Sequence, residues 1–128
     1  MHEMKKKIFT VEDNPDIGYI LHYFLEDEGF EVTLFDNASS FNHSFERDLP
    51  DILLLDVMLP DGDGIQICDD IKSKPRTAHL PILIMSAHAP AEKISAESCA
   101  NGFISKPFDR ELVLSRVLEE LGIAYLPA

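Results

Sequence analysis

The sequence predicts an α/β fold, a parallel sheet with helices on both faces. Five short apolar runs alternate with five segments that carry apolar residues at helical spacing, and such alternation builds a parallel sheet. The strongest run, Ile52-Leu53-Leu54-Leu55, is apolar without a break, the pattern of a strand buried on both faces. It ends on a carboxylate, Asp56, and the stretch from Pro60 to Gly64 then turns the chain.

Lys7-Ile8-Phe9-Thr10-Val11 opens the pattern as the first strand. Asn14 supplies a helix N-cap and Pro15 the first helical position. Ile17, Ile20, Leu21, Phe24 and Leu25 then recur at helical spacing until Gly29. Glu31-Val32-Thr33-Leu34-Phe35 is the second strand, and a weaker helix over 38–47 carries Phe41 and Phe45. The third strand covers 52–56. A helix over 65–74 follows, with Ile65, Cys68 and Ile71 on one side, and stops before Pro75. The fourth strand covers 81–86, and a short helix over 91–100 has a poor apolar stripe. The fifth strand, 103–105, runs into Lys106-Pro107. Asp109 caps a last helix that ends at Leu121, with Leu112, Val113, Val117 and Leu121 facing inward.

The 128 residues fit a single domain over 1–128, with a core over about 7–121 and no output domain. A net charge of −12 offers no basic surface to nucleic acid or anionic lipid. The Lys5-Lys6-Lys7 cluster is too short to reverse this and reads as a solvated lead-in to the first strand. Cys68 and Cys99 lack metal or CxxC spacing and read as small helix residues in a reducing compartment. Without a membrane-length apolar run or an apolar signal core, the chain is expected in the cytoplasm.

In an open parallel sheet, ligands bind beyond the carboxyl ends of the strands. Glu12 and Asp13, Asp36, Asp56, Ser86 and Lys106 stand there. Asp36 reads as a solvated helix cap. The other carboxylates would repel one another unless a divalent cation neutralised them, and oxygen ligands with room for water suit Mg²⁺. Lys106 offers an ammonium and Ser86 a hydroxyl. Metal, ammonium and hydroxyl are the supports a carboxylate nucleophile needs to accept a phosphoryl group, which makes Asp56 the candidate acceptor. His2, His22, His43, His79 and His88 show no metal spacing and read as surface residues, with His88 set apart because it follows Ser86 by two. Gly62-Asp63-Gly64 reads as a turn, not a phosphate cradle.

Four motifs in order resemble the receiver domain of bacterial two-component response regulators. They are Val11-Glu12-Asp13-Asn14, Leu55-Asp56-Val57-Met58-Leu59-Pro60 with Asp61-Gly62-Asp63-Gly64, Met85-Ser86-Ala87, and Lys106-Pro107-Phe108. The resemblance runs from Lys7 to Leu121. It implies a flavodoxin-like (βα)5 three-layer sandwich with strand order 2-1-3-4-5. It also implies that Asp56 accepts phosphate from a phosphohistidine of a sensor histidine kinase or a histidine phosphotransfer protein. Asp13, Asp56 and the Met58 carbonyl would ligate Mg²⁺, with Glu12 acting mainly through water. Lys106 would bridge to Asp56 and then to the phosphoryl group, Ser86 would swing towards it, and Phe103 would turn inward behind. Pro107 is expected after a cis bond. The face of the fourth helix, fifth strand and fifth helix would then change its preference for a downstream effector protein, with a homodimer left open.

Glu12 stands where aspartate is commoner, Ser86 where threonine is, Phe103 where tyrosine is frequent, and Cys99 where glycine is usual. In the resembled family, the residues two beyond Asp56 and Ser86, here Met58 and His88, tune phosphate loss. Met58 cannot activate water, which implies a phosphoryl group lasting minutes or longer. Beyond its own phosphoryl transfer and slow dephosphorylation, no enzyme activity is expected. The alternative from the enzyme class is a haloacid-dehalogenase-like phosphatase, which needs an aspartate where Met58 stands. A third reading is a receiver that binds partners without phosphorylation; intact Glu12, Asp13, Asp56, Ser86 and Lys106 argue against it.

Overall fold

The computed structural model of the chain describes residues 5–87 and 100–124. Its main sheet has five parallel strands, β1 (Lys7–Val11), β2 (Glu31–Phe35), β3 (Ile52–Asp56), β6 (Ile82–Ser86) and β7 (Gly102–Ser105). Two short strands after β3, β4 (Met58–Leu59) and β5 (Gly62–Asp63), pair with each other as a small antiparallel hairpin. The order β2-β1-β3-β6-β7 is the implied 2-1-3-4-5 once the hairpin is set aside. The helices among the described residues are α1 (Pro15–Asp27), α2 (Ala38–Phe45), α3 (Gly64–Lys72) and a C-terminal helix (Arg110–Leu121). His88, Cys99 and all but the last residue of the helix expected over 91–100 lie outside the described residues.

Alternation along the strands divides the core in two. Ile8, Ile52 and Leu54 point to one face, where they meet Leu21 and Leu25 of α1 and Val113, Leu114 and Val117 of the C-terminal helix. Phe9, Val11, Leu53 and Leu55 point to the other, where they meet Phe41 of α2 and Cys68 and Ile71 of α3. The result is a three-layer sandwich in which every residue of β3 and β6 is buried. That is why these two strands read as unbroken apolar runs. Asp51 ties the amino end of β3 to that of β1. Its carboxylate accepts from the Lys7 N–H at 2.7 Å, and its own N–H donates to the Lys7 carbonyl at 2.8 Å. Among the described residues no helix is long and apolar enough to cross a membrane.

The local chemistry follows the sequence at most helix ends. Asn14 accepts from the N–H groups of Asp16 and Ile17, and Asp109 accepts from that of Leu112. Gly29 follows α1 at φ +95°. Lys5 and Lys6 are exposed, while Lys7 opens β1 and pairs with Asp48 at 3.0 Å. Four expectations need correction. Leu112 is 39% exposed, and Leu114 is buried in its stead. Val113, Leu114 and Val117 centre the inward stripe, and one helical step of 100° carries Leu112 out of it. Ile20, expected inside α1, is 46% exposed at the edge of that helix's stripe. Asp63 caps α3, so that helix begins at Gly64 and stops at Lys72, and α2 stops at Phe45.

Thr10 interrupts the apolar run of β1. It is fully buried and its hydroxyl oxygen has no hydrogen-bond partner. A buried polar group left unpaired costs about 1–3 kcal/mol. Thr10→Val should therefore raise the unfolding free energy by about 1 kcal/mol, read as a higher urea midpoint at unchanged m-value.

Candidate functional site

The strands deliver their functional side chains where their ladders run out. The Glu12 N–H still donates to the Phe35 carbonyl at 2.9 Å, so Glu12 is held at the end of β1 and Asp13 beyond it is exposed. β3 ends on Asp56, after which the Val57 N–H donates to the Met85 carbonyl at 3.1 Å. The Lys106 N–H donates to the Ser86 carbonyl at 3.0 Å, which sets the lysine stem beside β6. The Lys106–Pro107 peptide bond is cis.

One ammonium joins two of these strand ends. Lys106 Nζ donates to Asp56 Oδ2 at 2.9 Å and also to Glu12 Oε1. The second oxygens are engaged too: the Asn14 N–H donates to Glu12 Oε2 and the Met58 N–H to Asp56 Oδ1, each at 3.2 Å. Glu12 is 4% and Asp56 6% exposed, so both carboxylates are nearly dry. Glu12, Asp13 and Asp56 bring carboxylate oxygens within 4.8 Å of one another. Ser86, Ala87, Met58 and Ile17 line the same cleft.

The electrostatics fit a divalent cation. Three carboxylates and one ammonium leave two formal negative charges. Burial, followed by the hydrogen bond with Asp56, pushes the Glu12 carboxyl up from its ordinary 4.5 to about 7, against the pull of Lys106 and the Asn14 N–H. Burial pulls the Lys106 ammonium down, but its bonds to Glu12 and then Asp56 outweigh that, and it titrates above its ordinary value. The two shifts are compatible, since one cation shared between two buried anions is strongly held and still leaves the anions short of positive charge. All-oxygen donors with Asp13 open to water suit Mg²⁺.

The structure thus brings Glu12, Asp13, Asp56, Ser86, Lys106 and Met58 to one cleft. Asp36 is not among them and is not a helix cap. It is exposed and accepts from the Asn37 side chain at 2.7 Å, while Asn37 itself caps α2. Phe103 is half-buried and packs against the core cluster that contains Leu55 and Ile84. Two contributors escape a reading of the sequence. Gly64 lies so close to Asp56 that a Cβ there would stand 2.1 Å from the Asp56 carbonyl oxygen. Asp61 accepts from the N–H groups of Ala38 at 2.6 Å and Ser39 at 3.0 Å, a contact across 23 residues that no local pattern announces.

Comparison with known proteins points one way. The family model described as the response regulator receiver domain matches residues 8–118. A 14.6 kDa protein of Leptolyngbya boryana without an assigned role is 34% identical, with 94% of this chain matched to 92% of it. The phosphate regulon transcriptional regulatory protein PhoB of Rhizobium meliloti is 34% identical over 89% of this chain and 51% of its own length. The chain therefore spans about half of that longer regulator. Among solved structures, the receiver domain of sensor histidine kinase PA1611 from Pseudomonas aeruginosa PAO1 is described with a magnesium ion in its active-site cleft. It is 26% identical, covers 93% of this chain and 99% of its own, and superposes with a TM-score of 0.83. A structure assigned to the response regulators of Chloroflexus aurantiacus J-10-fl is 29% identical over 93% of this chain and 99% of its own, with a TM-score of 0.87.

Two outcomes follow from the geometry. Gly64→Ala should cost about 2–3 kcal/mol by overpacking against backbone. Gly62→Ala, whose Cβ would meet side chains rather than backbone, the Ala38 Cβ at 3.2 Å and the Ile67 Cδ1 at 3.7 Å, should cost less in the same urea titration. The second outcome concerns pH. A carboxyl whose folded value is raised keeps its proton in the folded state to a higher pH than in the unfolded chain, so stability falls as pH rises between 4.5 and about 7. In EDTA the melting temperature should drop across that window, Glu12→Gln should flatten the drop, and millimolar Mg²⁺ should reverse it by binding the ionised form.

Proposed function

Because the chain belongs to the family of response regulator receiver domains, we propose that it is a phosphorylation-dependent signalling switch in which Asp56 is the phosphoacceptor. The observation that carries this reading is the Lys106 ammonium shared between Asp56 and Glu12 in a cleft that also holds Asp13 and Ser86. Asp56 would attack the phosphorus of a phosphohistidine, forming an acyl phosphate as the nitrogen–phosphorus bond breaks and the imidazole leaves. The carboxylate brings its own lone pair, so no general base is required.

Asp13, Asp56 and the Met58 carbonyl are the groups that would hold Mg²⁺, with Glu12 acting through water. When bound, the ion would neutralise charge on the phosphoryl oxygens. Lys106 stands within reach of one oxygen of the acceptor, so the same ammonium that pairs with the free carboxylate would follow the charge onto the phosphoryl group. Ser86, buried at the end of β6, would supply a hydroxyl to another oxygen. Phe103 would then fill the space behind Ser86, altering the face built around β7 and the C-terminal helix. On this reading the donor is a sensor histidine kinase or a histidine phosphotransfer protein, the recipient is a downstream effector protein, and the chain has no enzyme activity on other substrates.

Incubation with acetyl phosphate and Mg²⁺, followed by intact mass measurement, should show one stable phosphoryl adduct on the wild type and none on Asp56→Ala. Lys106→Ala should slow its formation roughly hundredfold, as loss of one preorganised donor does. A wild type that takes no phosphoryl group at any Mg²⁺ concentration overturns the switch, and catalytic hydrolysis of phosphate esters moves the assignment to the phosphatase class.

A further inference from the structure

The β4–β5 hairpin is built from two residues on each strand, too little to hold itself in place in water. Its base is pinned. The Gly64 N–H donates to the Val57 carbonyl at 2.8 Å, and Gly64 lies against the Asp56 carbonyl with no room for a side chain. Its tip is pinned by Asp61, whose two carboxylate oxygens accept separately from the Ala38 and Ser39 N–H groups at the start of α2. Between these two anchors sits Met58, whose N–H donates to Asp56 Oδ1.

We propose that Asp61 is a positioning residue for the carboxylate site, clamping the hairpin to the N-terminus of α2 so that Met58 holds the Asp56 carboxylate in one orientation. In its consequence for phosphoryl transfer the proposal rests on the reading of Asp56 as phosphoacceptor. Three observations support the clamp. First, α2 has a local cap of its own, Asn37, whose Oδ1 accepts from the Ser40 N–H at 2.8 Å. A residue 23 positions away is not needed merely to start the helix. Second, the contact is tight on its apolar side too, since a Cβ on Gly62 would lie 3.2 Å from that of Ala38. Third, the two N–H groups, Ala38 first, hold the exposed Asp61 carboxyl below its ordinary value, so the clamp stays ionised through the neutral range.

The chain of effect is short. Without Asp61 the tip is released, the Met58 N–H no longer tracks Asp56 Oδ1, and the carboxylate loses its backbone anchor while keeping the Lys106 bond at Oδ2. A nucleophile that has lost one of its anchors spends less time aligned for attack.

The test compares wild type, Asp61→Ala, Asp61→Asn and Asn37→Ala. Three quantities are read: Met58 amide exchange by NMR in EDTA, the Mg²⁺ dissociation constant by calorimetry, and the initial rate of phosphorylation by acetyl phosphate at saturating Mg²⁺. Asp61→Ala should speed Met58 exchange, weaken Mg²⁺ binding, and slow phosphorylation about tenfold, in line with the cost of a misaligned reacting group. Asp61→Asn retains one acceptor and should fall between. Asn37→Ala should lower the melting temperature through α2 and leave all three readings near wild type. The proposal is overturned if Asp61→Ala leaves Met58 exchange and Mg²⁺ binding unchanged, or if Asn37→Ala shifts them equally, which would make Asp61 only a helix cap. If the wild type takes no phosphoryl group, the assignment of Asp56 falls, while the exchange and Mg²⁺ readings still decide for or against the clamp.

Discussion

One ammonium between two buried carboxylates is the constraint on which the site depends. Lys106 comes from the end of the edge strand β7, Glu12 from β1 and Asp56 from β3, so the ion pairs span the carboxyl edge of the sheet. Buried ion pairs of this kind are poor devices for stability, because taking the charges out of water offsets most of their attraction. Here the balance is worse than in a simple pair, since one cation serves two anions and a third, Asp13, stands alongside. The Glu12 carboxyl registers the imbalance by holding its proton up to about 7. A sheet edge that is short of positive charge is a cost to the fold, and it makes sense as a place prepared for a cation.

The rest of the structure is arranged so that this edge can bear the cost. β3 and β6 are buried throughout, and the two clusters on the sheet's faces leave those strands little freedom to shift. Close approach replaces side chains where the backbone itself must be placed. Gly64 lets the start of α3 lie directly on the Asp56 carbonyl, and the β4–β5 hairpin follows from that contact. On the opposite face, Arg110 reaches Asp27 at 3.0 Å and Glu28 at 2.6 Å. This ties the start of the C-terminal helix to the end of α1, just after the loop that carries Lys106.

How much of this was legible in the sequence depended on whether the determinant was local. β1 and β3 lie where their apolar runs place them, because a strand buried on both faces is apolar along most of its length. β2 keeps its expected bounds as an edge strand with one face exposed. The site was legible for a related reason: in a parallel sheet the residues that end strands gather at one edge, so Glu12, Asp13, Asp56, Ser86 and Lys106 meet. Helix phase was less legible. Leu112, Leu114 and Leu118 give the last helix apolar residues around much of its circumference, and only packing against β3, β7 and α1 selects Leu114 over Leu112. Caps were legible when the acceptor was the preceding residue, as at Asn14 and Asp109. Asp36 and Asn37 are both good caps by type, and the backbone chose the second. Asp61 capping a helix 23 residues earlier has no signature in the chain, because the pairing exists only once the sheet has formed.

Met58 shows how backbone and side chain can be given separate tasks at such a site. Its N–H is committed to Asp56, while its side chain is 61% exposed at the mouth of the cleft. Any residue but proline at position 58 could hold the carboxylate through the same N–H, so the residue type there is left to govern what approaches Asp56 from solvent. A carboxylate in that place could take a proton from an attacking water, and a thioether cannot. An acyl phosphate on Asp56 would thus be formed with the help of Lys106 and Ser86 but would meet no general base at position 58 on the way out. That asymmetry favours a site that holds a phosphoryl group as a signal over one that turns substrate over. It also places the distinction in a single exposed side chain, apart from the buried charges that make the chemistry possible.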